Sequence, residues 1–301
     1  MSSAGRSTIT LEYQVVDVFT ETALMGNGLA VVFDTIGLST ERMQAIAREF
    51  NLSETTFIQR LDPGIEKTQG VRVRIFTTQE ELPFAGHPTL GTASVLKLAC
   101  PDVVQDSTIK LALNVGTVPV RFRPESLFGE MTQRDPEYKD QLDPAEVARL
   151  CGLNTDDLHA TIPPQVVSTG TAFAIVALRS HEPLARLRVD QEPATQYLRE
   201  HGGRWFYVMG PTDINGSGWR ARMQFYGGED PATGSAAGCA ISYLVCHAIV
   251  KAGRQIHVKQ GVEIGRASDL FLAADMVDGR VTNVRVAGST VPVAKGSIFL
   301  P

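Results

Sequence analysis

Apolar and polar positions recur along this chain with two periods, and the changes between them mark out the elements. Tyr13 to Phe19 is rich in β-branched residues and reads as a strand. Gly26-Asn27-Gly28 turns the chain into a second strand, Leu29 to Phe33. Met43, Ile46, Ala47 and Phe50 then recur at helical spacing, with Ser39 or Thr40 as the cap and Asn51 as the stop. Ser53 to Gln59 returns to strand patterning, and Asp62-Pro63-Gly64 reads as a turn. Val71 to Phe76 alternates apolar residues with Arg72 and Arg74, as a half-exposed strand does. Gly86 to Gly91 reads as a glycine- and proline-rich loop. Thr92 to Ala99, small and apolar all round, reads as a buried helix.

The second half brings the landmarks back in order. Gln165 to Ala177 opens with strand signal, and Trp205 to Met209 is a short apolar run. Arg220-Ala-Arg-Met-Gln-Phe225 echoes Arg72-Val-Arg-Ile-Phe76. Asp230-Pro-Ala-Thr-Gly-Ser-Ala-Ala237 has the form of His87-Pro-Thr-Leu-Gly-Thr-Ala-Ser94 and feeds a small-residue helix to about Ile249. Gln14 and Gln165 lie 151 residues apart, Arg72 and Arg220 148, and His87 and Asp230 143. Small loop deletions account for the drift. The expectation is an α/β protein of two similar halves related by internal duplication. A polar linker is expected within Arg123 to Asp143.

Composition narrows the function. The 301 residues suit two domains. A net charge of −5 offers no basic excess for a phosphate backbone, which argues against nucleic acid as a partner. No apolar run reaches the roughly 18 residues of a membrane span. The polar stretch Met1 to Thr10 lacks a signal region, so the expected location is cytoplasmic. Cys100, Cys151, Cys239 and Cys246 form no CxxC pair and read as small buried apolar residues kept reduced, with Cys239 and Cys246 on one helix face. His159, His181, His201, His247 and His257 show no ligand spacing, so no metal is expected. Gly26-Asn27-Gly28 is not a dinucleotide fingerprint, and no cofactor is expected.

The candidate chemistry lies in three places. Each glycine-rich loop feeds a helix, and unpaired amides at a helix start can hold a carboxylate or phosphate. The alternative is simple capping by Thr92 and Ser235. His87 and Asp230 occupy matching places and could face one another. Glu54 precedes an apolar run; there it is either a base with a raised pKa or an exposed charge at a strand end.

These segments carry a family resemblance. Asp17-Val-Phe-Thr20, Gly26-Asn-Gly-Leu-Ala-Val31, Ser53-Glu-Thr-Thr-Phe57, Glu81 to Thr92, Glu229 to Ala236 and Gln260 to Ser268 resemble the PhzF family of phenazine-biosynthesis-like proteins, which has the diaminopimelate-epimerase-like fold. The resemblance implies an α+β fold of two domains, each a curled, mostly antiparallel sheet around a central helix, with the active site in the cleft between them. The expected halves are 1–128, joined by a returning C-terminal strand 288–301, and 129–287. A homodimer is implied as well. The family's type enzyme is a cofactor-free isomerase of trans-2,3-dihydro-3-hydroxyanthranilate. On its pattern Glu54 is the proton-transferring acid/base, with His87 and Asp230 assisting. Ser235 and Gly86 line the site, and the Gly91-Thr92 and Gly234-Ser235 amides hold the substrate carboxylate. Gly28, Thr78 and Ala267 stand where the family usually has proline, and Gln224 to Glu229 is shorter than usual.

Neither glycine-rich loop holds a cysteine. A single carboxylate can take a proton and return it on the same face, which suits isomerisation rather than inversion. The expected function is therefore a cofactor-independent isomerase acting on a small carboxylated substrate. The alternatives are a lyase, dehydratase or epimerase with the same site, or a non-catalytic binding protein for small acids.

Overall fold

The computed structural model describes residues 9–213, 215–225 and 228–300. Met1 to Thr8, and Tyr226-Gly227 within the short segment before Asp230, lie outside the described residues. Among the described residues the architecture is mixed α/β, with six α-helices and one sheet of seventeen strands beside a two-stranded ribbon.

The strands follow one pairing order twice. Ile9–Val18 pairs antiparallel with Asn27–Val32, which runs parallel to Glu54–Gln59. Val71–Phe76 follows antiparallel, Thr108–Leu113 parallel, then Gly116–Phe122 and Gly129–Thr132 antiparallel. The second half begins with Gln165–Ser168 antiparallel to Ala172–Ala177, which runs parallel to Trp205–Pro211. Gly218–Arg222 is antiparallel, Ile256–Gln260 parallel, and Ser268–Val277 and Arg280–Gly288 antiparallel. The C-terminal strand Thr290–Leu300 returns to pair with Ile9–Val18.

The helices are α1 (Thr40–Phe50), α2 (Pro63–Gln69), α3 (Gly86–Ala99), α4 (Pro144–Cys151), α5 (Gln191–Glu200) and α6 (Gly234–Cys246). Ser39 caps α1 and left-handed Asn51 ends it, as its sequence predicts. Helix α3 is buried from Gly86 through Leu96, and α6 from Gly234 through Val245. Both are apolar all round because neither presents a face to water. One continuous core includes Val16, Leu29 and Leu90 of the first half with Tyr207, Ile241 and Leu270 of the second.

Four expectations need correction. The presumed loop Gly86–Gly91 is the first turns of α3, since buried small residues favour helix once tertiary contacts surround them. Asp62-Pro63-Gly64 opens α2, with Asp62 as its cap and Pro at the first helical position. The polar stretch 123–143 holds two strands: Gly129–Thr132 pairs on one side with Gly116–Phe122 and on the other with Arg280–Gly288, while Glu137–Gln141 pairs with Gln165–Ser168. Cys239 is buried but Cys246, at the end of α6, is exposed.

Candidate active site

The two central helices meet start to start. A Cβ built on Gly86 would lie 2.4 Å from the carbonyl carbon of Gly234 and 2.4 Å from the amide nitrogen of Ser235. Only glycine permits this approach of backbone to backbone. Side chains cap α1, α2 and α4, but none caps α3 or α6. Inside α3 the first amide to bond a carbonyl is that of Thr89, and inside α6 that of Ala237. Gly86 and His87, and Gly234 and Ser235, therefore precede the helical ladders, at the positive ends of two buried helices.

Gly91 and Thr92 do not belong to this arrangement. They lie in the second turn of α3, where amides are used by the helix itself. Gly91 instead meets the side chains of Leu29 and Val18, and the Thr92 hydroxyl lies 2.8 Å from that of Thr56. Neither Thr92 nor Ser235 is a side-chain cap.

Glu54 is the first residue of its strand and His87 is the second of α3. Glu54 is 8 % exposed, His87 2 % and Asp230 4 %. His87 Nε2 lies 3.4 Å from Glu54 Oε2, and neither atom has a hydrogen-bond partner. Two buried polar atoms left open toward each other are uncommon in a folded protein. Burial, then the Asp230 charge, pushes the Glu54 carboxyl well above the ordinary range. Burial alone pushes His87 down to about 3, so the ring is neutral. Burial raises Asp230 to about 6, against the pull of hydrogen bonds from Thr233, Asn27 and Ser53.

A polar frame holds Asp230. Thr233 Oγ1 donates to Asp230 Oδ2 at 2.6 Å, and Asn27 Nδ2 donates to Asp230 Oδ1 at 2.7 Å. Gln260 Nε2 donates to the Asp230 carbonyl and to Thr233 Oγ1, while its Oε1 accepts from the Thr233 amide and from Tyr207. Asn27, Thr233, Gln260 and Tyr207 were not legible as site residues. Asn27 reads as a turn residue between two glycines, Thr233 and Gln260 lie in segments that carry the family resemblance but have no role marked there, and Tyr207 sits in an apolar strand.

His87 and Asp230 come together, though not as counterparts. Arg74 grips Glu81 through two parallel hydrogen bonds, and Arg222 grips Glu229 the same way, 148 residues on. Ser94 donates to the Leu90 carbonyl as Ser242 donates to that of Gly238, again 148 residues on. The helix starts Gly86 and Gly234 share this spacing. In that register His87 answers to Ser235. The 143-residue match of His87 to Asp230 does not keep this spacing.

A family model described as phenazine biosynthesis-like protein, PhzC-PhzF, matches residues 16–296. The chain belongs to this family. A trans-2,3-dihydro-3-hydroxyanthranilate isomerase of Pseudomonas aeruginosa is 36 % identical over 96 % of this chain and 99 % of its own. An uncharacterized isomerase of Mesorhizobium japonicum is 34 % identical over 97 % and 99 %. Among solved structures, a protein of Pseudomonas aeruginosa described as a predicted epimerase superposes with a TM-score of 0.80 at 33 % identity, covering 95 % of this chain and 98 % of its own. A PhzF-family phenazine biosynthesis protein of Bacillus anthracis superposes at 0.83 and 24 % identity, covering 97 % and 100 %, and speaks for the fold alone. The PhzF-family members named here include isomerases, and the cluster around Glu54 is the feature of this chain suited to moving a proton.

Proposed function

We propose that this protein is a cofactor-independent isomerase that moves a proton within a small carboxylated substrate, of the kind its Pseudomonas relative is named for. The observation that carries the reading is the pair of partnerless buried atoms, Glu54 Oε2 and His87 Nε2, beside two uncapped helix starts. Glu54 takes a proton from one carbon and returns it to another on the same face. The amides of Gly86 and His87, and of Gly234 and Ser235, hold the substrate carboxylate and the anion that forms. Asp230 keeps Glu54 basic once ionised, because a like charge nearby favours the protonated form.

The repeated pairing order and the 148-residue spacing of three landmarks support an internal duplication, with the site between residues 1–128 and 129–287. The same reading makes the protein a cytoplasmic homodimer without a nucleic-acid or membrane partner. Among the described residues no helix is long and apolar enough to cross a membrane. The strand Thr290–Leu300 supports the dimer: it pairs on one side with Ile9–Val18 and carries Phe299 at 71 % exposure.

A two-base epimerase is disfavoured. The thiol within α6, Cys239, is pushed up to about 11 by burial and contacts Thr169 and the Thr171 carbonyl. The test is incubation of wild type and Glu54→Gln with dihydrohydroxyanthranilate in D₂O, followed by absorbance and proton NMR. Turnover or deuterium uptake that depends on Glu54 supports the reading. Neither signal from wild type removes this substrate, and no exchange into any small carboxylic acid removes the isomerase.

A further inference from the structure

The ring nitrogen of His87 that carries the proton decides whether the imidazole accepts or donates toward Glu54. Asn27 settles that question. The residue is 1 % exposed, and its backbone is held by pairing with Val18. Its Nδ2 lies 2.7 Å from Asp230 Oδ1, 2.9 Å from the Ala232 carbonyl and 3.1 Å from His87 Nδ1. Turning the amide over would press its oxygen against the Ala232 carbonyl and the Asp230 carboxylate, so the nitrogen belongs on this side. An amide nitrogen donates and does not accept. The His87 Nδ1 that faces it must therefore be bare. A neutral imidazole has one proton, which leaves it on Nε2, the atom 3.4 Å from Glu54 Oε2.

We propose that Asn27 is a positioning residue that sets the tautomer of His87 and holds it as a neutral Nε2–H donor. Asn27 spans the two halves, gripping His87 of α3 and Asp230 and Ala232 ahead of α6 with one –NH₂ group. Two hydrogens serve three acceptors, so the longer His87 contact shares a hydrogen. The charged or titratable groups facing His87 are Glu54 across the gap and Asp230 behind Asn27. With Nδ1 occupied and Nε2 protonated, His87 has no lone pair to offer. Glu54 is then the single base, and the substrate atom that meets Nε2 is a hydrogen-bond acceptor. The catalytic meaning of this assignment rests on the isomerase reading; the tautomer itself does not.

The test uses the full chain labelled with ¹⁵N in its histidine rings. Two-bond proton–nitrogen spectra are recorded from pH 5 to 9, and His87 is assigned by its loss in His87→Gln. The expected result is a protonated Nε2 and a bare Nδ1 throughout. A proton on Nδ1, or an imidazolium in this range, overturns the proposal. Asn27→Asp offers Nδ1 an acceptor and should draw the proton onto it; Asn27→Ala should populate both tautomers. A folded variant with an unchanged His87 spectrum overturns the role of Asn27, and the wild-type spectrum carries the test if a variant does not fold. Turnover with His87 protonated on Nδ1 sinks this inference and leaves the isomerase. The expected tautomer in a protein without turnover or exchange sinks the isomerase and leaves this inference.

Discussion

The starts of α3 and α6 are alike in backbone and unlike in chemistry. Each begins at a glycine pressed against the other, each lacks a side-chain cap, and each closes a serine hydroxyl onto its own carbonyl at the same depth. The second residue of α3 is His87, and Glu54 lies against it. Beside α6 the matching helix position is Ser235, and the strand in the matching place begins with the apolar Trp205. Two like helix starts thus present uncapped amides on both sides and a buried carboxyl with a partnerless oxygen on one. Inversion of a stereocentre needs a base on each face; return of a proton to the same face needs one.

The largest effect expected from disturbing this asymmetry is at Glu54. Glu54→Gln should lower turnover about 10³- to 10⁴-fold while leaving binding of a small carboxylate nearly unchanged, as kinetics and calorimetry would measure. Equal losses of both would place Glu54 in binding and remove it as the base.

Next come the two glycines. In Gly86→Ala the added carbon meets backbone, so the helix starts must separate, and a shift of about 1 Å at a reacting site costs about 100-fold. In Gly234→Ala the nearest atoms are farther off, Phe19 Cζ at 3.0 Å and the Gly86 Cα and Met131 Cε at 3.1 Å, against 2.4 Å in Gly86→Ala. Its loss of turnover should be markedly smaller. Equal losses would mean that the contact is not tighter on the α3 side.

Asp230→Asn sharpens the electrostatics. Removing the charge lets Glu54 ionise more easily, so the acid limb of the pH–rate profile should move to lower pH. Stability should change as well. The folded-state value is raised from 3.8 to about 6, so the protonated form is the one the fold prefers. That preference contributes fully below about pH 4 and is lost as pH rises through about 6. The melting temperature of Asp230→Asn relative to wild type should therefore climb between pH 4 and 7. A flat difference would show that the hydrogen bonds from Asn27 and Thr233 offset the burial. The smallest effect should be at Cys239→Ala, with turnover within about threefold of wild type and no change in the stereochemistry of the product. A loss like that of Glu54→Gln would make Cys239 a second base.

Much of the fold was legible because it depends on local periodicity. The α1 cap and stop and the alternation of Arg72 and Arg74 are set by neighbours a few residues away. The start of α3 lies six residues ahead of the one the pattern predicts because Gly86-His87-Pro88 has weak helix propensity and is held by contacts with the other half. The same error produced the pairing of His87 with Asp230. Spacing read from glycine and proline gave 143, whereas the two bidentate arginine–glutamate grips are set at 148 by side chains in contact.

The sequence by itself determined the family, the repeated order of strands and helices, and the three titratable residues that gather. Those follow from patterns written along the chain. Tertiary structure decided what those residues become. Whether Glu54 is an exposed charge or a buried one depends on what covers it. Whether His87 donates depends on Asn27, 60 residues away, and whether Asp230 is held depends on Asn27, 203 residues away. Burial and hydrogen-bond partners are properties of space, and they set the protonation states on which the chemistry rests.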